Sequence, residues 1–234
     1  LASLPNLKVI SRLGVGLDNI DIQSAERRHI LVCKSKISPS LSVAELTLSM
    51  LLNLSRHTVK MHNEMQNGNW HKLMGNLITG KTLGIIGLGK IGRKLVEITK
   101  GFDLKYIAFD KFQDEDFCKE HNIRYETLEN LLIESDLISI HLNSSVENKN
   151  LIDHSKFELM KRKPFIVNTS RGDILDEEAL IRAIKKGLIS GAALDVFKEE
   201  PLPITSKLLS HDNIIVTPHI AAYAAEIRNK MEIE

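Results

Sequence analysis

From Lys81 onward, short apolar runs alternate with segments of helical period. "LGIIG", "YIAF", "DLISIH", "FIVNTS", "SGAALDVF" and "NIIVTPH" are separated by stretches such as "IGRKLVEITK", "LENLLIES" and "EEALIRAIKKG". Runs that are apolar throughout, rather than at every second residue, belong to strands covered on both faces, and parallel strands need helical crossovers of this length. The pattern predicts an α/β domain with a doubly wound parallel sheet. No internal repeat or low-complexity segment competes with it.

The chain ahead of Lys81 reads differently. "LPNLKVISRLGVG" carries a strand pattern at residues 7–10, and "DNIDIQSAERRHILV" adds a short helix and a second strand. The first strand begins almost at once, as though an earlier part of its sheet were absent, so this second, smaller α/β unit is expected to be incomplete at its N-terminus. In "SLSVAELTLSMLLNLSRHTVKMHNEMQNGNW", Val43, Leu46, Met50, Leu54 and Val59 recur at helical spacing, which predicts one long helix. The polar stretch "NGNWHKLMGNLITG" after it marks an arm between domains. The expected organisation is residues 1–70 as a partial outer domain with a linking helix, 71–219 as the sheet domain, and 220–234 as a return to the outer domain.

Composition narrows the possible partners. In 234 residues, 43% are hydrophobic, enough for a packed core. The 31 basic and 30 acidic residues give a formal charge of +1 with no block of one sign, which argues against nucleic acid or an anionic membrane and for a small ligand. No apolar stretch approaches bilayer length, and the opening "LASLPNLKVISRLG" lacks the regions of a signal peptide, so a cytoplasmic setting is expected. Cys33 and Cys118 lie in unlike contexts without metal-ligand spacing, which predicts free thiols and no metal site.

The candidate chemistry starts at "TLGIIGLGKIGRKL". Gly87, Gly89 and Gly92 form G-x-G-x-x-G directly after a strand and at the opening of a helix, where backbone can turn sharply and approach a pyrophosphate. The helix N-terminus then offers free N–H groups and a partial positive charge to the anion. Gly84 to Lys90 also spells G-x-x-x-x-G-K, but Ile91 lacks the hydroxyl that a P-loop uses for Mg²⁺. The next strand ends on Asp110, 23 residues past Gly87, where an acid meets a ribose 2′-hydroxyl and repels a 2′-phosphate. NAD is therefore expected over NADP. Three later strand ends carry reactive types: Arg171 in "NTSRGDILDEEAL", Asp195 and Glu200 in "ALDVFKEEP", and His219 in "VTPHIAA". Taken singly, each has an ordinary reading as a surface cation, a loop acid or a satisfied polar group.

Together these motifs resemble the D-isomer-specific 2-hydroxyacid dehydrogenases. The likeness runs through "SRLGVGLDNIDI", "SLSVAELTLSMLLNLSRH", "GKTLGIIGLGKIG", "NTSRGDILDEEAL", "AALDVFKEEP" and "TPHIAA", with the phosphoglycerate dehydrogenase branch most similar. The resemblance implies a Rossmann NAD-binding domain with a flavodoxin-like substrate domain. It implies Arg171, Glu200 and His219 as the catalytic trio, and Gly87, Gly89, Lys90, Ile91, Gly92, Asp110, His141, Thr169 and Asp195 as the cofactor site, with Asp195 on the nicotinamide carboxamide. Arg12 and the backbone around Val15 and Gly16 would bind substrate. Departures from the family pattern are Asn143, where many relatives have proline, and Ser38 and Pro39, where relatives commonly have glycine and asparagine.

The implied reaction moves a hydride between NAD and C2 of a D-2-hydroxy acid. His219 would take or return the hydroxyl proton, Glu200 would stabilise the imidazolium, and Arg171 would grip the carboxylate with two parallel bonds. The leading substrate on this reading is 3-phosphoglycerate, an entry to serine biosynthesis, with Arg12 on the distal phosphate. Glyoxylate or hydroxypyruvate reduction is an alternative. A second class is an NAD(H)-sensing binding protein resembling the C-terminal binding protein corepressors. Residues 42–79 would make a homodimer contact by the same resemblance, although amphipathic spacing suits core packing equally.

Overall fold

The computed structural model describes residues 1 and 3–233. Strand Val9–Arg12 (β1), helix Ile22–Arg27 (α1) and strand Leu31–Lys34 (β2) form a small outer lobe, with Val9 opposite Leu31 and Arg12 opposite Lys34 in parallel register. Helices Ser40–Arg56 (α2) and Thr58–Gln66 (α3) follow. The rest alternates: β3 (Thr82–Ile86), α4 (Lys90–Thr99), β4 (Lys105–Phe109), α5 (Glu115–Glu120), β5 (Ile123–Tyr125), α6 (Leu128–Glu134), β6 (Leu137–Ile140), α7 (His154–Glu158), β7 (Phe165–Asn168), α8 (Glu177–Lys186), β8 (Gly191–Leu194), β9 (Ile214–Val216) and α9 (Ala225–Ile233).

Strands β3 to β9 form one parallel sheet in the order β5-β4-β3-β6-β7-β8-β9. This is the doubly wound Rossmann sheet that the alternation predicts. Along β3, Leu83 and Ile85 enter one core with Met50, Leu51, Leu54, Leu95 and Val96, whereas Ile86 enters the other with Leu131, Ile140 and Phe157. Alternate residues of a strand point to opposite faces, so both faces need an apolar cover. Strand order reverses between β3 and β6, opening a crevice at their carboxyl ends.

The expected single long helix is two helices. His57 sits at φ 54°, a left-handed conformation that ends α2 and starts α3. The returning arm holds this break, since the Asn76 amide donates to the Ser55 carbonyl at 2.7 Å. Helix α2 also does more than link: its Met50, Leu51 and Leu54 cover the large sheet. A boundary near residue 70 therefore leaves part of the sheet's own cover on the outer side. Cys33 is exposed, Cys118 is buried, and both are free. Among the described residues no helix is long and apolar enough to cross a membrane.

Candidate active site

The glycine turn lies at the switch point. Gly87 has φ 99°, and a Cβ there would come within 2.9 Å of the His141 carbonyl carbon, so the turn from β3 lies directly against the end of β6. The Gly87 amide donates to the Phe109 carbonyl and the His141 amide to the Ile86 carbonyl, at 2.8 and 2.7 Å, fixing three adjacent strand ends. Around Gly89, the N-cap of α4, the place of a Cβ is open space, and no side chain caps the helix. Its first N–H groups thus remain available to an anion, with Lys90 exposed and Ile91 half-buried in the first turn. Asp110 is oriented from both sides: Oδ2 accepts from the Leu88 amide at 2.7 Å and Oδ1 from the Phe112 amide at 3.1 Å. A turn left open at Gly89 and an acid held beside it fit a dinucleotide.

The reactive types follow consecutive strands on the same edge. Arg171 comes after β7, Glu200 after β8 and His219 after β9, and these strands are neighbours in the sheet. His219 Nδ1 lies 2.7 Å from Glu200 Oε2, while Glu200 Oε1 accepts from the Phe197 amide at 3.0 Å. The proton on Nδ1 therefore points at a carboxylate, which leaves Nε2 as the nitrogen able to exchange a proton with a substrate. His219 itself has φ 54°. Its loop is held from below by Asp195, whose Oδ1 accepts from Thr217 Oγ1 at 2.5 Å and the Ile220 amide at 2.8 Å, and whose Oδ2 accepts from the Ala221 amide at 2.8 Å.

Asp195, expected at a nicotinamide carboxamide, is fully enclosed and ties β8 to the His219 loop. Thr169, also expected at the cofactor, is buried, with Oγ1 3.0 Å from Thr47 Oγ1 on α2. Both turn inward because a polar side chain beneath a packed strand end needs a protein partner. Arg12 is exposed beside Gly14, and Val15 and Gly16 continue into the loop under Arg171.

One participant was not singled out from sequence. Asp18, in "GVGLDN", places Oδ2 2.8 Å from Arg171 Nε and 2.6 Å from Nη2. Its position two residues past Gly16 was the available signal; its partner, 153 residues away, carries no local mark.

A sheet of this order, with a glycine turn at its switch point and an imidazole–carboxylate couple on the same edge, defines a dinucleotide-dependent oxidoreductase. The chain matches the family model described as D-isomer specific 2-hydroxyacid dehydrogenase, NAD binding domain, over residues 48–221. It is 36% identical to a glyoxylate reductase of Korarchaeum cryptofilum, across 97% of this chain and 70% of that one. With a hydroxypyruvate reductase of Thermotoga maritima the identity is 40%, across 98% and 75%. A D-lactate dehydrogenase of Aquifex aeolicus, solved with NAD and lactic acid, superposes with a TM-score of 0.85 at 33% identity, covering 100% of this chain and 77% of that one. The chain belongs to the D-isomer-specific 2-hydroxyacid dehydrogenase family, and NAD is its cofactor.

His141 carries a testable consequence. Its Nε2 lies 2.7 Å from Ser139 Oγ, while Nδ1 is sealed from solvent without a hydrogen-bond partner. Burial pushes its pKa from 6.5 down to about 3. The unfolded chain thus binds the proton more readily than the folded one, and this contribution to stability is full above the unfolded value and lost as pH falls from 6.5 toward 3. Urea unfolding at pH 6.5, 5.5 and 4.5 is expected to show a loss of up to about 1.4 kcal/mol per pH unit from this group. His141→Asn should flatten the curve by that amount, and an equal slope in both proteins would refute the assignment.

Proposed function

We propose that the chain reduces small 2-keto acids to D-2-hydroxy acids and catalyses the reverse oxidation. The observation that carries this is the 2.7 Å couple between His219 Nδ1 and Glu200 Oε2, just past β9 and β8, which continue the sheet from β7, the strand that delivers Arg171. The hydride for substrate C2 would come from NADH when it is bound at the glycine turn. Gly87, Gly89 and Gly92 with the α4 N-terminus would hold its pyrophosphate, and Asp110 its ribose. Arg171 grips the substrate carboxylate and orients the adjacent carbonyl, with the backbone at Val15 and Gly16 beside it. His219 Nε2 gives its proton to the keto oxygen, and Glu200 keeps the imidazole in the tautomer and orientation that this step needs. The two lobes, outer residues on one side and the Rossmann sheet on the other, close over the hydride path and exclude water.

Glyoxylate and hydroxypyruvate are the first substrates to test, because relatives carrying those names share 36% and 40% identity with the chain. Arg12, exposed at the carboxyl end of β1, supports a second reading in which a distal phosphate is recognised, as in 3-phosphoglycerate. Following NADH absorbance with glyoxylate, hydroxypyruvate and 3-phosphohydroxypyruvate separates these. Tight NADH binding without turnover of any of them would favour the sensing alternative.

The assembly is a homodimer in this proposal, built on the helices and arm of residues 42–79, of which the arm after α3 is the exposed part. Trp70 is 79% exposed and Met74 93%, with Leu77 beside them, which is apolar area that a second copy would cover. Light scattering is expected to give twice the protomer mass, and Trp70→Glu with Met74→Glu should halve it. A monomeric native chain removes the dimer from the proposal.

A further inference from the structure

The geometry points to Asp18 as a positioning residue that orients the Arg171 guanidinium toward the substrate. This inference rests on the reading of Arg171 as the carboxylate grip. A guanidinium has five N–H donors in one plane. Nε donates to Asp18 Oδ2 at 2.8 Å, Nη2 pairs with the same oxygen at 2.6 Å, and Nη1 donates to the Ser170 carbonyl at 2.7 Å. That leaves one N–H on Nη1 and one on Nη2, the two nitrogens at the end of the fork. Asp18 thus occupies the side of the guanidinium while its end remains available for a bidentate contact with a carboxylate.

A second wall is the backbone at Gly16. A Cβ on Gly16 would lie 2.4 Å from Arg171 Nη2 and 3.1 Å from Asp18 Oδ2, so the guanidinium is confined between a residue without a side chain and a carboxylate from the same loop. The loop belongs to the outer lobe and the arginine to the Rossmann lobe. The orientation of Arg171 is therefore set by how the outer lobe sits on the sheet. The pair lies at the rim, with side-chain exposures of 31% for Arg171 and 48% for Asp18. Screening by water makes it a weak contributor to stability, which leaves direction as its main effect.

The test uses the full chain with glyoxylate and NADH. Asp18→Ala is expected to raise KM for glyoxylate by about ten- to a hundredfold, the scale expected when a binding group is displaced by an ångström. NADH affinity, read by fluorescence, should stay unchanged. Asp18→Asn, whose amide oxygen can still accept from Nε and Nη2, should recover part of the loss. Because Asp18 acts only through Arg171, the double variant Asp18→Ala/Arg171→Ala should match Arg171→Ala alone. A lower KM in Asp18→Ala would mean that the aspartate blocks the substrate's place, and multiplicative losses in the double variant would mean a separate structural role. Either result overturns the proposal.

A readout independent of turnover is the Arg171 Nε–H resonance, assigned by its loss in Arg171→Lys. It should shift and broaden in Asp18→Ala. If the native chain turns over no 2-keto acid, the functional reading fails while this signal still tests the pairing, and an unchanged resonance overturns it.

Discussion

Replacing His219 by asparagine is expected to lower kcat for 2-keto acid reduction by about 10²- to 10⁴-fold, the range associated with loss of a positioned general acid. NADH should bind as tightly as before, because the glycine turn and Asp110 lie after β3 and β4, on the other side of the sheet's switch point. Asparagine is the informative choice because His219 sits at φ 54°, and asparagine tolerates the left-handed region better than most residues. The loop should keep its three bonds to Asp195, so the variant removes Nε2 without releasing the backbone that carried it. Glu200→Gln should cost less, since the amide still contacts the ring but no longer fixes which nitrogen holds the proton. NADH absorbance gives the rate and NADH fluorescence the binding. A kcat within threefold of the native value in His219→Asn would remove His219 from the proposed mechanism.

The second large effect is expected at Gly172. A Cβ there would lie 2.0 Å from the Phe197 carbonyl carbon, 2.1 Å from its oxygen and 2.5 Å from the Lys198 nitrogen. All three are backbone atoms, so no side chain can rotate away. The Arg171 loop and the segment leading to Glu200 must separate to admit even a methyl group. Overpacking of this kind costs about 1–3 kcal/mol. Since Arg171 is the adjacent residue and Glu200 accepts from the Phe197 amide, kcat/KM for glyoxylate should fall about 10²-fold as well. Gly101→Ala is the control: the place of its Cβ is open, and its stability should stay within about 0.5 kcal/mol of the native chain. Denaturant unfolding of both variants decides the comparison. Equal stability would mean that the two loops are not held in the contact described.

The sites differ in how readable they were. Asp176 shows the local case: it opens α8 and accepts from the Glu178 and Ala179 amides, a capping arrangement contained within four residues and visible in "LDEEAL". Asp195 shows the opposite case. "ALDVF" places an acid at a strand end, which reads equally as a ligand contact or a structural tie. Its three donors come from residues 217–221, and their approach depends on how β9 packs beside β8. Thr169 turned toward Thr47 for the same reason, because α2 covers β7 at that point.

What the amino-acid order determined alone is the alternating parallel architecture, the glycine turn with Asp110, and the placement of Arg171, Glu200 and His219 just past buried strands. Those features follow from periodicity, turn chemistry and motifs that span a few residues each. Only the tertiary structure decided that α2 covers the sheet, that the helix breaks at His57, that Asp195 and Thr169 face inward, and that Asp18 meets Arg171. Each of these depends on which surfaces pack together and which way a side chain then points, and contacts between distant residues leave no periodic trace in the chain.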